Sequence, residues 1–429
     1  MTTIEQLHAC FLACTGVSTD TRTIPEGSLF VALKGPRFDA NAFAEEALAK
    51  GARHAVVDDP SVARDDRFML VHDGLQALQE LARYHRRTFD IPVIGITGTN
   101  GKTTTKELMH AVLAADRPTL ATSGNLNNHI GVPLTLLRLN ADHRIAIIEM
   151  GANKPGDIAE LCAIAEPTHG LITNIGRAHL EGFAGFEGVL RTKTELFVAL
   201  RERNGIAFVH GDDALLMEKS EGLQRVTYGT TEDNDTIGQV EHSDTALLHM
   251  SFVGRSRTAR HRVDTQLVGT YNAPNVLAAV CIGQHFDVPD EVIADAIRAY
   301  RPGNNRSQFT DTGRNQLVLD AYNANPTSMA VALENFAAMP GERPKLAIIG
   351  DMLELGAESD KEHRAIVDLV ARLGLEACFV GTAFAQATPA AFPSADALNE
   401  HLATAPISGR LILVKGSRGV KLETVVPAL

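Results

Sequence analysis

The run Ile91-Pro-Val-Ile-Gly-Ile-Thr97, followed directly by Gly98-Thr-Asn-Gly-Lys-Thr-Thr104, constrains this chain more than any other stretch. It reads as a buried strand, a glycine-bounded turn, and a helix that opens on Lys102 and Thr103. Such a turn converges several backbone N–H groups on one spot, and the helix N-terminus adds the positive end of its dipole. Together they cradle phosphate. Lys102 can reach terminal phosphates, and the Thr103 hydroxyl can ligate a magnesium ion bridging them. The spacing departs from the strict GxxxxGK[ST] pattern, because Ile96 stands where the first glycine belongs. Gly98, Thr99, Asn100, Gly101, Lys102, Thr103 and Thr104 therefore read as a nucleotide-binding loop, against the plainer reading of an ordinary strand-to-helix turn. The loop alone does not say what the nucleotide is used for.

At 429 residues the chain exceeds one hydrophobic core, so two or three domains are expected. Hydrophobic residues make up 45% and charged residues 21%, an ordinary globular balance. The net charge of −12 argues against nucleic acid or an anionic membrane as partner, since phosphate backbones demand a basic surface. The start, MTTIEQLHACF, lacks the basic opening and apolar run of a secretory signal. No uninterrupted apolar stretch is long enough to span a membrane. The five cysteines show no metal-site spacing and are odd in number, which reads as free thiols in a reducing cytoplasm.

Three blocks emerge. Residues 1–88 carry short strands between helices, including an amphipathic helix with Leu75, Leu78, Leu81 and Ala82 on one face. Residues 89–303 begin at the phosphate loop and alternate apolar runs such as Ile145-Ala-Ile-Ile148 and Gly170-Leu-Ile-Thr173 with helices. That pattern predicts a mostly parallel sheet covered on both faces. Within this block 223–268 is polar and threonine-rich with alternating apolar residues, which predicts an antiparallel excursion. Residues 304–429 hold strands at 316–320, 345–349, 377–380 and 410–414 with helices between them, a doubly wound sheet. The fold class is thus α/β in three domains.

A nucleotide site of this kind needs an acid at the end of a neighbouring strand to hold a metal. Glu149 follows four apolar residues and precedes Gly151, and ligands gather at the carboxyl ends of strands in doubly wound sheets. His179, in Asn174-Ile-Gly-Arg-Ala-His179, follows another strand end and taken alone reads as a metal ligand, a base or a loop histidine. Lys193 lies on a helix and alone reads as a solvated lysine. Asp351 follows an apolar strand, but a turn or helix-capping role explains it without any catalytic part.

The set GTNGKTT, EMGAN at Glu149, NIGRAH ending in His179, and Lys193 with Phe197 four residues on resembles the Mur ligases of peptidoglycan synthesis. That resemblance covers nearly the whole chain, with its motifs in order. It implies ATP-driven amide formation on a UDP-muramoyl carboxylate, with two magnesium ions. By the resemblance Thr103 and Glu149 hold one metal and His179 helps place a second. The lysine matching Lys193 is usually carbamylated, which turns it into an anion able to serve that metal. Tyr271-Asn-Ala-Pro-Asn275 resembles the adenine-side motif, making Asn272 and Asn275 nucleotide contacts. Arg306 resembles an interdomain arginine that meets the phosphates, although Asn305 precedes it where glycine is more usual. Asp320 and Asn323, in Asp320-Ala-Tyr-Asn-Ala-Asn-Pro326, are further ATP contacts, with Tyr322 nearby.

The first block resembles a UDP-binding module through Ser18-Thr-Asp-Thr-Arg22 and Lys34-Gly35 with Asp39. Ser18, Asp20, Thr21, Arg22 and Lys34 are the implied uridine-side contacts. Asn41 stands where the family often shows histidine. The YNANP run, Gly350-Asp-Met-Leu-Glu-Leu-Gly356 and Lys415-Gly-Ser-Arg-Gly419 resemble the dipeptide-adding branch, and the DNPR-like motif of diaminopimelate-adding ligases is missing. The implied partners are UDP-N-acetylmuramoyl-tripeptide and D-alanyl-D-alanine, with the chain acting as a cytoplasmic monomer. A diaminopimelate- or lysine-adding ligase, a folylpolyglutamate-synthase-like ligase and a non-catalytic ATP-binding scaffold are the alternatives.

Overall fold

The computed structural model describes residues 1–177, 180–183, 185–303 and 306–429. In the first block four parallel strands lie in the order Val17–Ser18, Leu29–Val31, His54–Val57, Phe68–Leu70. A small antiparallel pair, Lys34–Gly35 with Phe38–Asp39, follows the second of them. The helix Gly74–Arg87 starts where the Asp73 side chain accepts the Gln76 N–H, and it buries Leu78, Leu81 and Ala82 as their spacing predicts, with Leu75 partly exposed. This helix joins two sheets. Its buried face belongs to one continuous core that runs from Leu29, Val31 and Val56 to Val132, Ile158 and Leu161. Polar ties reinforce the junction: His8 and His85 share a ring hydrogen bond at 3.1 Å, and His85 Nε2 reaches the Leu139 carbonyl at 3.0 Å.

Nine strands form the central sheet, in the order Arg260–Val268, Leu247–Val253, Thr236–Val240, Gln224–Gly229, Ile206–His210, His169–Ile172, Val93–Thr97, Ile145–Glu149, Thr119–Ala121. Successive residues of each central strand enter opposite cores. Val93, Ala146, Ile148 and Ile172 face one side, while Ile94, Ile96, Ile147 and Leu171 face the other. Both faces are covered, so each run is apolar at almost every position. The polar stretch at 223–268 is antiparallel only in its later part. Gln224–Gly229 pairs parallel with both of its neighbours, and the antiparallel pairings begin between Thr236–Val240 and Leu247–Val253.

The last sheet has the order Gln308–Asp311, Gln316–Asp320, Leu411–Lys415, Lys345–Gly350, Glu376–Val380. The strands expected in this block are present and parallel, and Gln308–Asp311 is an additional antiparallel edge. Leu317, Leu346, Ile348 and Ile412 pack on one face, and Val318, Ala347, Ile349 and Leu413 on the other. This is a sheet wound on both sides. All five cysteines are free. Among the described residues no helix is long and apolar enough to cross a membrane.

Candidate active site

Sheet register gathers the chemistry at one edge. Ile96 is opposite Glu149 and Thr97 is opposite Ile172, so the phosphate loop, Glu149 and the Thr173–Gly176 turn leave the sheet together at its carboxyl end. Gly98 and Gly101 have φ of +141° and +78°. A Cβ at Gly98 would lie 2.0 Å from Thr173 Oγ1, and one at Gly101 would lie 2.7 Å from Asn275 Oδ1. Left-handed backbone and close approach together leave only glycine at both positions. The turn is pinned from outside: Asn100 N–H donates to Asn174 Oδ1 at 3.0 Å, Thr99 N–H to the Asn174 carbonyl at 2.9 Å, and Thr173 Oγ1 to the Asn100 carbonyl at 2.6 Å. Asn174 was not anticipated, because nothing in its local sequence marks it as a loop support.

Glu149 is 1% exposed. Its Oε1 accepts from Thr103 Oγ1 at 3.2 Å and from Asn127 Nδ2 at 2.8 Å, while its buried Oε2 has no hydrogen-bond partner. Leaving a buried acceptor unsatisfied costs about 1–3 kcal/mol, more when it is charged, so a cation against Oε2 answers a deficit the protein leaves open. A hydroxyl and a carboxylate are hard oxygen donors of the kind magnesium takes, and the donor set fits that ion. Asn127, in the asparagine-rich run Asn125-Leu-Asn-Asn128, is a second support that the sequence reading missed. The one available signal was the density of amides after an edge strand.

Lys102 folds back on its own loop, with Nζ 2.6 Å from the Gly98 carbonyl and 3.1 Å from that of Thr99. Burial pushes its pKa below the usual lysine range; Glu149 opposes this and Arg306 adds to it. Lys193, on the helix Phe186–Glu202, is 3% exposed. It is not the solvated lysine its local sequence suggests. Burial holds its pKa well below the usual value, with the Lys102 cation contributing, and so favours the neutral, nucleophilic amine. Its Nζ stands 5.8 Å from the Phe183 ring centroid. His179 lies outside the described residues. Among the described residues no cluster of three His, Cys, Asp or Glu side chains forms a ready metal cage.

A cavity of about 1000 Å³ joins the central and C-terminal sheets. Thr99 to Thr104 and Glu149 line it, with Asn272 and Asn275 beside the loop, and Arg306, Asp320, Tyr322, Asn323 and Lys415 contribute from the third block. Lys193 is not among the lining side chains. Asn272 and Asn275 are linked, with Asn275 Nδ2 donating to Asn272 Oδ1 at 2.8 Å and Thr105 Oγ1 donating to Asn275 Oδ1 at 3.1 Å. The Arg306 guanidinium stacks on Tyr322, 3.6 Å from the ring centroid, and its buried Nε lacks a partner. Stacking occupies the guanidinium face and leaves edge donors for an anion. Lys415 Nζ bonds Asp320 Oδ2 at 2.5 Å. Asn323 Oδ1 accepts the Ala324 N–H at 2.9 Å. Asn325 caps the helix Pro326–Ala338 and also donates to Asn100 Oδ1 at 2.7 Å, tying the third block to the phosphate loop. Asp351 accepts the N–H groups of Ala383 and Phe384 at 3.0 and 2.9 Å, so it holds the first turn of the distant helix Thr382–Ala387 instead of capping a helix of its own.

The implied uridine contacts gather elsewhere, at the carboxyl edge of the first sheet, and none of them lines this cavity. Asp20 caps the short turn Thr21–Thr23 and grips Arg22, whose side chain is 85% exposed; the Arg22 hydrogen bonds hold the Asp20 carboxyl down at about 2. Lys34 reaches Asp58 at 2.9 Å. Asn41 is buried between two acids and donates to Asp39 Oδ1 at 2.7 Å and Asp58 Oδ1 at 2.6 Å. It supports the edge from within, and Asp58 is a member that sequence reading did not supply.

A three-domain α/β chain with a phosphate loop opposite a second Rossmann-like sheet is matched by three family models. They are the Mur ligase family catalytic domain over residues 13–86, the Mur ligase middle domain over 96–283, and the Mur ligase glutamate ligase domain over 305–418. The chain belongs to the Mur ligase family. Within the family it is similar over its full length to UDP-N-acetylmuramoyl-tripeptide–D-alanyl-D-alanine ligases. That of Escherichia coli (strain K12) is 36% identical, with 99% of this chain and 95% of the relative covered. The crystal structure of MurF from Acinetobacter baumannii superposes with a TM-score of 0.86 at 31% identity, covering 99% and 98% of the two chains. MurF ligase from Thermotoga maritima in complex with ADP gives a TM-score of 0.85 at 28% identity, covering 97% of each chain.

Proposed function

We propose that this chain joins D-alanyl-D-alanine to the terminal carboxylate of UDP-N-acetylmuramoyl-tripeptide at the expense of ATP, giving UDP-N-acetylmuramoyl-pentapeptide, ADP and phosphate. One observation carries the reading. The phosphate loop, an under-coordinated buried carboxylate and the Arg306, Asp320 and Lys415 group face one another across a single cavity. Division of labour follows the three blocks: 1–88 holds the uridine nucleotide, 89–303 the ATP, and 304–429 closes over both.

A carboxylate is a poor electrophile at neutral pH. The tripeptide carboxylate attacks the γ-phosphorus and displaces ADP, giving an acyl phosphate; the free amine of the dipeptide then attacks the acyl carbon, and phosphate leaves. The loop amides and Lys102 neutralise charge on the transferred group, and the free edge of the Arg306 guanidinium meets it from the opposite wall. Lys102 must release the Gly98 and Thr99 carbonyls to do so. Magnesium held by Thr103 and Glu149 would add charge neutralisation between the phosphates. His179 and a carbamylated Lys193 are the proposed holders of a second ion, and the depressed pKa of Lys193 supports the neutral amine that carbamylation requires. Asn272, Asn275, Asp320 and Asn323 hold the nucleoside side of ATP.

Phosphate release measured with D-alanyl-D-alanine, diaminopimelate and lysine as acceptors, each paired with its own UDP-muramoyl substrate, tests the assignment. Turnover is expected with the dipeptide alone. Preference for diaminopimelate or lysine would overturn it, and no acceptor-dependent release at all would favour a scaffold.

A further inference from the structure

Lys106 is a lysine the proposed reaction does not use, and it is 0% exposed. It sits on the helix Lys102–Ala114, one turn beyond Thr103 and so on the same side of that helix. Its Nζ donates to the Thr122 carbonyl at 2.7 Å and meets Glu107 Oε1 at 2.7 Å. Thr122 is itself 2% exposed and immediately follows the edge strand Thr119–Ala121. Its N–H donates to the Ile147 carbonyl at 3.0 Å, and its Oγ1 accepts the N–H of Glu149 at 2.9 Å. Thr122 is therefore held at three points, two on the strand that ends in Glu149 and one by Lys106. Beyond it the chain leaves the sheet into the loop whose Asn127 bonds the Glu149 carboxylate.

We infer that Lys106 is a positioning residue for the metal-binding carboxylate: through Thr122 it fixes both the backbone of Glu149 and the departure point of the Asn127 loop. A buried lysine is an expensive way to hold a sheet edge, because an apolar side chain of similar volume fills such space without desolvating an ammonium. Its placement against a residue that clamps the Glu149 backbone N–H gives it a use that packing does not. The inference rests on the proposed magnesium site, since it concerns how the carboxylate of that site is aimed.

The test measures the magnesium dependence of ADP binding by titration calorimetry, and that of phosphate release, in the parent, Lys106→Met, Thr122→Val and the double variant. The magnesium concentration for half-maximal effect should rise about 10-fold or more in each single variant, as is usual when an outer partner of a metal ligand is lost. ADP binding without magnesium should be unchanged, and the double variant should be no worse than the singles. Thr122→Ser should restore the parent behaviour. Should Lys106→Met fail to fold, Lys106→Gln, which keeps a polar end but cannot reach the Thr122 carbonyl from the same backbone position, carries the same expectation. Magnesium dependence unchanged in Thr122→Val, or additive shifts in the double variant, would overturn the inference. A parent enzyme indifferent to magnesium, or unaffected by Glu149→Gln, would instead sink the metal site on which it rests.

Discussion

The phosphate-loop edge and the edge of the N-terminal sheet are built on the same plan, parallel strands ending in short polar turns, but they are finished in opposite ways. At the first, Thr103, Glu149 and Lys193 are all less than a tenth exposed, and Asn127, Asn174 and Thr173 lock the loop and carboxylate in place. At the second, Arg22 and Lys34 carry side chains 85% and 47% exposed, held by Asp20 and Asp58. Lys102 apart, which has still to leave the Gly98 and Thr99 carbonyls, the first site has met most of its ordering cost in folding, as the proposed phosphoryl transfer demands. The second leaves long charged side chains largely in water, and under the proposed uridine-nucleotide role the exposed Arg22–Asp20 pair, worth only about 0–1 kcal/mol, would re-pair with a diphosphate at little loss. The proposed division of labour would thus put chemistry where side chains are buried and locked, and recognition where they are exposed.

Removing a member of the rigid edge should therefore cost turnover. Glu149→Gln is expected to lower kcat for ATP-dependent phosphate release by roughly 10³-fold, the scale of losing one electrostatic stabiliser in a closed site. Thermal stability should hold or rise, since a buried carboxylate with one unpartnered oxygen is neutralised. A loss smaller than 10-fold would erase the contrast between the two edges.

Lys193→Ala comes next, with an expected loss of about 10–100-fold, as for a residue that orients or completes a metal site. Partial recovery with added short carboxylates would show that an anion, not an amine, is wanted there. Full activity without modification would remove the carbamate and leave Lys193 as a buried structural lysine. At the exposed edge, Lys34→Ala should raise KM for the uridine nucleotide about 10-fold, near 1.4 kcal/mol, with kcat unchanged. A fall in kcat of the same size would mean this edge is coupled to the chemistry after all.

What the sequence made legible follows the same divide. Strand, glycine turn and helix around Lys102 announce themselves because the periodicity and the glycines are local. Glu149 was legible because an apolar strand points to it. Its supports were not: Asn127 is 22 residues away and Asn174 is 74 residues from Asn100, and only sheet register brings these amides together. Strand Gln224–Gly229 imitated an antiparallel strand because its first two residues are exposed and the next two half-buried, which gives a polar start without any change in strand direction. Gln308–Asp311 went unseen because none of its four residues is fully buried, so no apolar run marks it. Asn41, where a histidine is more usual, resolved only in the structure as a bracket between Asp39 and Asp58.

The smallest expected effect tests the seam between the two edges. His8 and His85 lie in that seam with Phe11, Tyr84 and Phe89 around them, and burial lowers the pKa of both. With His85 neutral and its Nε2 donating to the Leu139 carbonyl, its Nδ1 accepts from His8 Nε2, a pairing that fails once both rings are protonated. A folded-state pKa below the unfolded value means that the unfolded chain binds more protons as the solution is acidified. Stability from these groups is therefore complete above about pH 6.5 and is lost as the pH falls through that value toward the folded-state pKa. Replacing His8 by Phe leaves the His85 acceptor without its donor and should lower Tm by about 2–4 °C at pH 7.5, the scale of one buried hydrogen bond in a domain of this size. The variant should also lose less stability than the parent between pH 7 and pH 5, because one of the two depressed histidines is gone. Melting curves across that range, taken with ADP present and absent, decide the point. An unchanged pH slope would assign the acid sensitivity to other buried histidines such as His169, held at about 4 by burial, and would leave the seam as apolar packing alone.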